Sequence, residues 1–280
     1  MRGARSISGD LIIGIDAGTS VIKAVAFDLA GRQIACASIR NRYELGGAAT
    51  GAVSGAATQS MPQTWADCAA ALRDLGTMVD GLAARTAAVG ITGQGDGTWL
   101  VGAQNDPVTD AWLWLDARAA PTVSRLSAKA SDRARFKATG TGLNTCQQGS
   151  QMAHMEAVCP EVLDRAEVAL HCKDWLFLNL TGVRATDPSE ASFTFGDFRT
   201  RQYSDAVIAS LGLAHRRHLL PEILDGTRET RPLTQAAAEA TGLRAGTPVS
   251  LGYVDMVMTA LEAETDVAQS SRHRDLTRKP

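Results

Sequence analysis

Short apolar runs separated by turn residues mark the amino-terminal part of the chain. Residues 11–15 form a β-rich apolar run, which predicts a buried strand. The runs at 21–28 and 33–39 predict two further strands, and the Ala30–Gly31 turn between them predicts a hairpin. The chain therefore begins with a strand, a small polar turn and a hairpin.

A helical period follows a stretch at 48–60 that is rich in Gly, Ala, Ser and Thr, which we interpret as a flexible loop. From Trp65 to Leu82 the apolar positions recur every three or four residues, as on one buried face of a helix. Strands then alternate with helices, which favours an α/β fold. The predicted strands are 87–92, 98–101, 111–115 and 248–252, and the predicted helices lie near 119–137, 150–158, 173–180, 203–211, 234–241 and 253–262.

Composition and charge narrow the class of protein. The chain has 280 residues, 45% of them hydrophobic, and a net charge of −2. This balance is typical of a globular protein and excludes a basic nucleic-acid footprint. No apolar run approaches the roughly 18 residues of a membrane span, and the run after the basic start is too short for a signal peptide. We therefore expect a cytoplasmic protein with no membrane partner.

The cysteines give no sign of a disulfide framework or a zinc site. There are five, an odd number, and none are spaced as a CxxC pair. Buried reduced thiols are the better interpretation.

The turn after the first strand has the composition of a phosphate-binding loop. A phosphate needs several donors at short range and no bulky side chain in the way, and glycine and hydroxyl residues meet both needs. The alternative is an ordinary turn leading into the hairpin. The residues concerned are Asp16, which could hold a magnesium ion through water, and Gly18, Thr19, Ser20 and Lys23.

Three later segments carry further candidate chemistry. Gln94 and Asp96 follow a predicted strand in a Gly-rich turn and present groups suited to hydroxyl-bearing ligands. Segment 112–118 is expected to place Trp112 and Trp114 on one strand face, as a sugar platform or as core, and its Asp116 and Arg118 could simply form an ion pair. Asp255 precedes a predicted helix, as a cap or as a general base.

Taken in order, these motifs resemble the FGGY family of carbohydrate kinases, whose lobes share an actin-like, ribonuclease-H-like core. The resemblance runs from about Leu11 to Leu261. It implies a mixed central sheet flanked by helices. The segments that carry it are 13–20 with Lys23, 27–28, 90–94, 114–118, 173–175, 180–182, 186–192, 241–249 and 252–255.

The resemblance also implies a reaction, the phosphorylation of a primary hydroxyl of a small sugar alcohol by ATP with Mg²⁺. Asp255 would accept the hydroxyl proton, and Gln94 and Asp96 would orient the polyol. The other implied substrate contacts are Trp114, Asp116 and Arg118, and the residues facing the phosphates and magnesium are Asp16, Gly18, Thr19, Ser20 and Lys23.

The implied acceptor follows from two positions. Gly95 and Asp96 stand where glycerol kinases carry Arg-Glu and D-xylulose kinases carry Met-His. Segments 93–99 and 112–118 most resemble family members that act on erythritol, so erythritol is the expected substrate. L-xylulose or another ketose or polyol is the alternative. A non-catalytic polyol-binding lobe, or a pseudogene product, is the alternative of another class.

The domain organisation departs from the family pattern. Family members have two lobes of similar size and hold the nucleotide mainly with the second. We expect a flexible amino terminus at 1–10, a substrate-binding lobe at 11–262 and a polar tail at 263–280, with the second lobe absent. The chain would then be truncated and inactive alone, with a missing second lobe or another copy of itself as its partner.

Overall fold

The computed structural model describes residues 9–46 and 54–261. The strands are β1 Leu11–Ala17, β2 Val21–Asp28, β3 Gln33–Arg40, β4 Glu44–Leu45, β5 Ala57–Gln59, β6 Thr86–Gly93, β7 Trp99–Val101, β8 Ala111–Trp112, β9 Val168–Leu170, β10 Ala185–Thr186, β11 Gly196–Asp197, β12 Gln202–Tyr203, β13 Glu222–Ile223, β14 Arg231–Pro232 and β15 Pro248–Leu251. The helices are α1 Met61–Met78, α2 Leu82–Arg85, α3 Ala120–Ser127, α4 Asp132–Thr139, α5 Gln148–Val158, α6 Pro160–Asp164, α7 Cys172–Thr181, α8 Pro188–Thr194, α9 Asp205–Ser210, α10 Gln235–Thr241 and α11 at 255–261, with a 3₁₀ helix at Ala214–Leu219.

A six-stranded sheet organises the molecule, in the order β14-β15-β6-β1-β2-β3. β1, β6 and β15 run parallel to one another, whereas β2, β3 and β14 are antiparallel to their neighbours. This is the mixed sheet expected from the sequence. Because three parallel strands lie side by side, their carboxyl ends meet at one edge, where open α/β sheets commonly bind ligands.

Helices cover the sheet through apolar faces. In β1 every second side chain is buried, from Leu11 to Ala17, which is the period of a strand with one face on the core. Helix α1 packs on β2 and β3, and α7 packs on β6 and β15. A second apolar cluster gathers side chains from α3, α5 and α9 and Phe195, the residue after α8; it includes Leu126, Met152 and Ile208.

Several predicted boundaries are wrong for local reasons. Helix α1 begins at Met61, four residues before Trp65, because the Ser60 side chain caps it by accepting from the Gln63 backbone N–H. It stops before Leu82 because Gly81 takes a positive φ of 67° and starts a separate turn.

Three predicted segments are divided differently. The helix predicted at 119–137 is two helices, since the stretch after Leu126 offers no large apolar side chain until Phe136, which is itself exposed. The helix predicted at 203–211 starts two residues late, because residue 203 belongs to β12. The loop predicted at 48–60 contains β5, and its first part lies outside the described residues, as do most of 1–10 and all of 263–280.

All five cysteines are free, as predicted, but only Cys68 and Cys172 are buried; Cys146 and Cys159 are partly buried and Cys36 is exposed. Within residues 9–46 and 54–261, no helix combines the length and the apolar character needed to cross a bilayer.

Candidate active site

Three loops meet at the carboxyl edge of the parallel strands. Residues 18–20 follow β1, residues 94–96 follow β6, and residues 252–255 follow β15. Backbone hydrogen bonds hold the loops together, since Gln94 N donates to Ala17 O (3.0 Å) and Gly252 N donates to Ile91 O (2.8 Å). The sheet register therefore determines which distant segments of the sequence share a site.

These loops surround a cavity of about 370 Å³. Five of the predicted site residues line it, so the structure brings Asp255 together with Gln94 and Asp96 opposite the Thr19 turn. Their roles in substrate binding and catalysis stay predictions. The lining residues are Thr19, Gln94, Gly95, Asp96, Trp114, Glu190, Phe193, Val254, Asp255 and Met256.

A chain of side-chain hydrogen bonds fixes one wall of this cavity. Trp114 Nε1 donates to Thr19 Oγ1, and Thr19 Oγ1 donates to Gln94 Oε1, each over 2.9 Å. Gln94 Nε2 donates to Gln59 Oε1 over 2.9 Å, and Gln59 Nε2 donates to Asn41 Oδ1. Because each group is held by its neighbours, the Gln94 amide presents a defined orientation to a ligand.

Two hydrogen bonds from Asn41 hold the β1–β2 turn in place. Asn41 Nδ2 donates to Gly18 O, and the Asn41 backbone N–H donates to Ser20 O, both over 2.9 Å. Lys23 Nζ lies 3.9 Å from Asp16 Oδ2. Ser20 lines a neighbouring cavity rather than the one that contains Asp255. Three of the five predicted phosphate-facing residues, Gly18, Thr19 and Ser20, form the turn, and Asp16 and Lys23 lie opposite each other on the flanking strands. Only Thr19 borders the cavity that contains Asp255.

Three carboxyl groups around the cavity repel one another. Burial raises the pKa of Asp255, and the charge of Asp16 raises it further. Burial also raises the pKa of Asp96, to which the charge of Asp255 adds. Asp96 has a φ of 56°, a conformation that costs energy for a residue with a side chain and is concentrated at functional sites.

A further carboxyl group, which the sequence did not single out, lies deeper. Glu190 of α8 is buried, and its burial raises the pKa to about 7. His171 Nε2 lies 3.6 Å from Glu190 Oε2. In the sequence, segment 186–192 contributes only to the family resemblance. A single Glu between small residues does not by itself indicate a binding or catalytic site.

The Trp112–Arg118 segment differs from its prediction. Strand β8 ends at Trp112, so Trp114 does not share a strand face with it, and that expectation is wrong. Trp112 is buried under the Arg118 guanidinium, 3.4 Å from the ring centroid, whereas Trp114 is exposed at the cavity. Asp116 is fully buried, pairs with Arg118 (2.6 Å) and accepts from Ala57 N. Neither Asp116 nor Arg118 lines the cavity, and their contact with substrate stays a prediction.

Comparison with known proteins identifies the family. Residues 11–261 match the family model described as the N-terminal domain of the FGGY family of carbohydrate kinases. The chain belongs to this family of kinases. The chain spans about half the length of the curated relatives it matches.

Individual FGGY relatives place the chain within the family. It is 71% identical over 255 residues to the erythritol kinase of Brucella abortus (strain 2308), which covers 91% of this chain and 48% of that protein. It is 29% identical to the L-xylulose/3-keto-L-gulonate kinase of Escherichia coli (strain K12), over 89% of this chain and 49% of that protein.

Solved structures of FGGY kinases share the fold. A xylulose kinase from Rhodospirillum rubrum superposes with a TM-score of 0.82 at 24% identity, over 90% of this chain and 51% of that one. A glycerol kinase from Plasmodium falciparum, solved with ADP, gives a TM-score of 0.71 at 19% identity, over 89% of this chain and 49% of that one. The predicted actin-like fold is confirmed.

The donor set at the cavity fits the magnesium that kinases of this kind generally use. Burial raises the pKa of Asp255 and the charge of Asp16 adds to the rise, and a divalent cation would relieve that repulsion. Hard carboxylate oxygens are the ligands that Mg²⁺ prefers, with water filling its other positions. Within the part of the chain that the structure describes, no three His, Cys, Asp or Glu side chains form a ready-made cage.

Proposed function

We propose that this chain is the substrate-binding lobe of a kinase that phosphorylates erythritol. The observation that carries the proposal is the convergence of Asp255, Gln94 and Asp96 on one cavity of about 370 Å³, opposite the Thr19 turn. The 71% identity to an erythritol kinase, which extends through these segments, supports the choice of acceptor.

The proposed mechanism is the transfer of the terminal phosphoryl group of ATP to a primary hydroxyl. Asp255 accepts the hydroxyl proton as the oxygen forms its bond to phosphorus and the bond to the ADP oxygen breaks. Gln94 and Asp96 hold the other hydroxyls, because each hydroxyl requires both a donor and an acceptor. In such chemistry, positioning and charge neutralisation provide most of the rate.

Residues 16–20 face the phosphates in this proposal. Asp16 would hold Mg²⁺ through water, and the ion would supply positive charge close to the phosphates. Thr19 and Ser20 supply hydroxyl groups, and Gly18 lets the backbone approach. The nucleotide itself requires a second lobe, since the relatives are about twice as long as the matched region.

The second candidate acceptor is L-xylulose or another ketose or polyol. The specific observation in its favour is the 29% identity to a kinase named for L-xylulose and 3-keto-L-gulonate. A third possibility of another class is a lobe that binds a polyol without transferring phosphate.

Calorimetric titration of the 280-residue chain with erythritol, glycerol, xylitol and L-xylulose tests the acceptor. We expect erythritol to bind most tightly. Tighter binding of L-xylulose would identify the ketose, and not erythritol, as the acceptor.

A complementation assay tests catalysis. The chain alone should produce no ADP with erythritol and Mg²⁺-ATP. Adding the separately expressed second half of the Brucella abortus enzyme should restore product formation. Polyol binding with no product in either assay would favour the non-catalytic lobe, and ordinary turnover by the chain alone would contradict the proposed need for a second lobe.

A further inference from the structure

Glu190 is a buried acid with one oxygen that has no hydrogen-bond partner. Its side chain is 2% exposed, and Oε1 accepts no hydrogen bond from the described residues. Oε1 lies against Gly95, close enough that a Cβ added there would approach it to 3.2 Å. Both residues line the cavity, so this buried and unpartnered oxygen lies at the cavity wall beside Gly95.

The other oxygen of Glu190 is supported from behind. His171 Nε2 is 3.6 Å from Oε2, and the opposite side of the imidazole, Nδ1, is 3.1 Å from Asp174 Oδ2. Lys173 in turn pairs with Asp174 and with Asp187, at 2.7 and 2.6 Å. The network fixes the position of the carboxyl group and leaves only Oε1 available.

We propose that Glu190 is a specificity-determining residue that binds a hydroxyl group which is not phosphorylated, and that it selects neutral polyols over the corresponding sugar acids. The inference rests on the proposed function, because it concerns the same cavity. Among the described residues of the lining, three side chains are carboxylic acids, Asp96, Glu190 and Asp255, and none is a lysine or an arginine. An anionic ligand would meet repulsion there with no compensating cation.

The hydrogen bond to the hydroxyl group requires one protonation state of Glu190, so the affinity for erythritol should depend on pH. A hydroxyl group that donates its single proton to Asp96 can only accept from Glu190, so Glu190 binds it in the protonated form. Burial, the largest cause, raises the pKa of Glu190 to about 7 against the opposing charges of His171 and Lys173, and the charges of Asp96 and Asp187 add to the rise. A ligand that deepens this burial raises the pKa again, so erythritol binding takes up a proton near pH 7 and weakens as the pH rises.

The test compares variants of the 280-residue chain by calorimetry between pH 6 and pH 8, in buffers of different ionisation enthalpy. Wild type should bind erythritol with proton uptake and reject erythronate, the acid of the same carbon chain. Glu190→Ala should lose about tenfold in affinity, which is the usual scale for a hydrogen bond to an ionisable group. Glu190→Gln should retain most of the affinity but lose the proton uptake and gain affinity for erythronate. Glu222→Gln, an exposed strand position, serves as the matched control.

The outcomes separate this inference from the proposed function. Wild-type binding of L-xylulose instead of erythritol would change the acceptor, yet the same Glu190 dependence would still support the inference. Erythritol binding with unchanged affinity in Glu190→Ala would overturn it. Proton uptake that persists in folded Glu190→Gln, or wild-type preference for erythronate, would overturn it equally. Thermal denaturation of each variant establishes that it is folded.

Discussion

The carboxyl group of Asp255 is suited to accept a proton, but its ionised form destabilises the fold. Burial and the charge of Asp16 raise its pKa in the folded chain, so the folded state binds this proton more tightly than the unfolded state. Ionising the group therefore lowers stability, and the loss develops as the pH rises above the unfolded value of about 3.9. A carboxylate with a raised pKa is also a better acceptor for a hydroxyl proton.

We accordingly expect Asp255→Asn to raise the melting temperature at pH 7 while it reduces complemented kinase activity by roughly 10²- to 10⁴-fold. The gain in melting temperature should shrink as the pH falls toward 4, because the wild-type group is then neutral as well. Differential scanning calorimetry across this range measures the effect. Asp110→Asn, at an exposed position, should change neither property. A lower melting temperature for Asp255→Asn would contradict the argument.

Gly95 keeps the floor of the cavity open. A Cβ at this position would lie 2.3 Å from Val254 Cγ2, and Val254 is held in place because its N–H donates to Ser189 Oγ. Gly95→Ala should therefore displace the loop that carries Asp255 and weaken erythritol binding at least tenfold. Gly142→Ala is the control, since nothing lies within 4 Å of a Cβ at that glycine. Equal binding by both variants, measured by calorimetry, would show that the loop yields easily.

At the scale of elements, the β1–β2 turn depends on the hydroxyl of Thr19. That hydroxyl accepts from Trp114 Nε1 and donates to Gln94 Oε1. Thr19→Val keeps the shape but removes both hydrogen bonds and leaves the Oε1 atom of the buried Gln94 without a partner, so we expect a loss of about 1–3 kcal/mol in the free energy of unfolding. Urea denaturation measures it. Thr77→Val, which removes a hydrogen bond on the exposed end of α1, should cost less. A smaller loss at Thr19 than at Thr77 would disprove the role of the network.

Strands and helices with one dominant hydrophobic period were predicted well from the sequence. β1, β2, β3, β6 and α7 were found within two residues of their predicted bounds, because apolar runs and turn residues define them locally. Prediction from the sequence failed where a tertiary contact determines where an element ends. The strand through 111–115 ends at Trp112 because the following residues turn so that Asp116 can accept from the Ala57 backbone, a partner that no local pattern reveals.

Across the whole molecule, the sheet register explains which site residues could be predicted. Asp16 lies near the end of β1, and Gln94 and Asp255 come after β6 and β15. Because parallel neighbours bring strand ends together, the proximity of these residues followed from the expected topology. Glu190 and Phe193 belong to a short helix outside that sheet, and only the packing of α8 carries them to the cavity. Their contribution could not be inferred from spacing.

Packing of α8 depends in turn on a fully buried lysine. Lys173 Nζ pairs with Asp174 on its own helix and with Asp187, which caps α8 by accepting from Ser189 N. Lys173→Met preserves the volume of the side chain but removes the lysine charge from two buried carboxylates, leaving Asp174 with His171 alone. We expect a loss of about 3–5 kcal/mol in the free energy of unfolding at pH 7, measured by urea denaturation. Lys129→Met, at an exposed position, should change it by less than about 0.5 kcal/mol.

The pH dependence of that loss distinguishes the ion pairs from simple packing. Burial alone would raise the pKa of Asp174, but Lys173 and His171 lower it well below its usual range. A carboxyl group with a lowered pKa stabilises the fold above its unfolded value of about 3.9 and loses that contribution as the pH falls. The difference between wild type and Lys173→Met should therefore be full at pH 7 and narrow on acidification. A difference that stays constant down to pH 4 and below would assign the effect to the shape of the methionine instead of to charge.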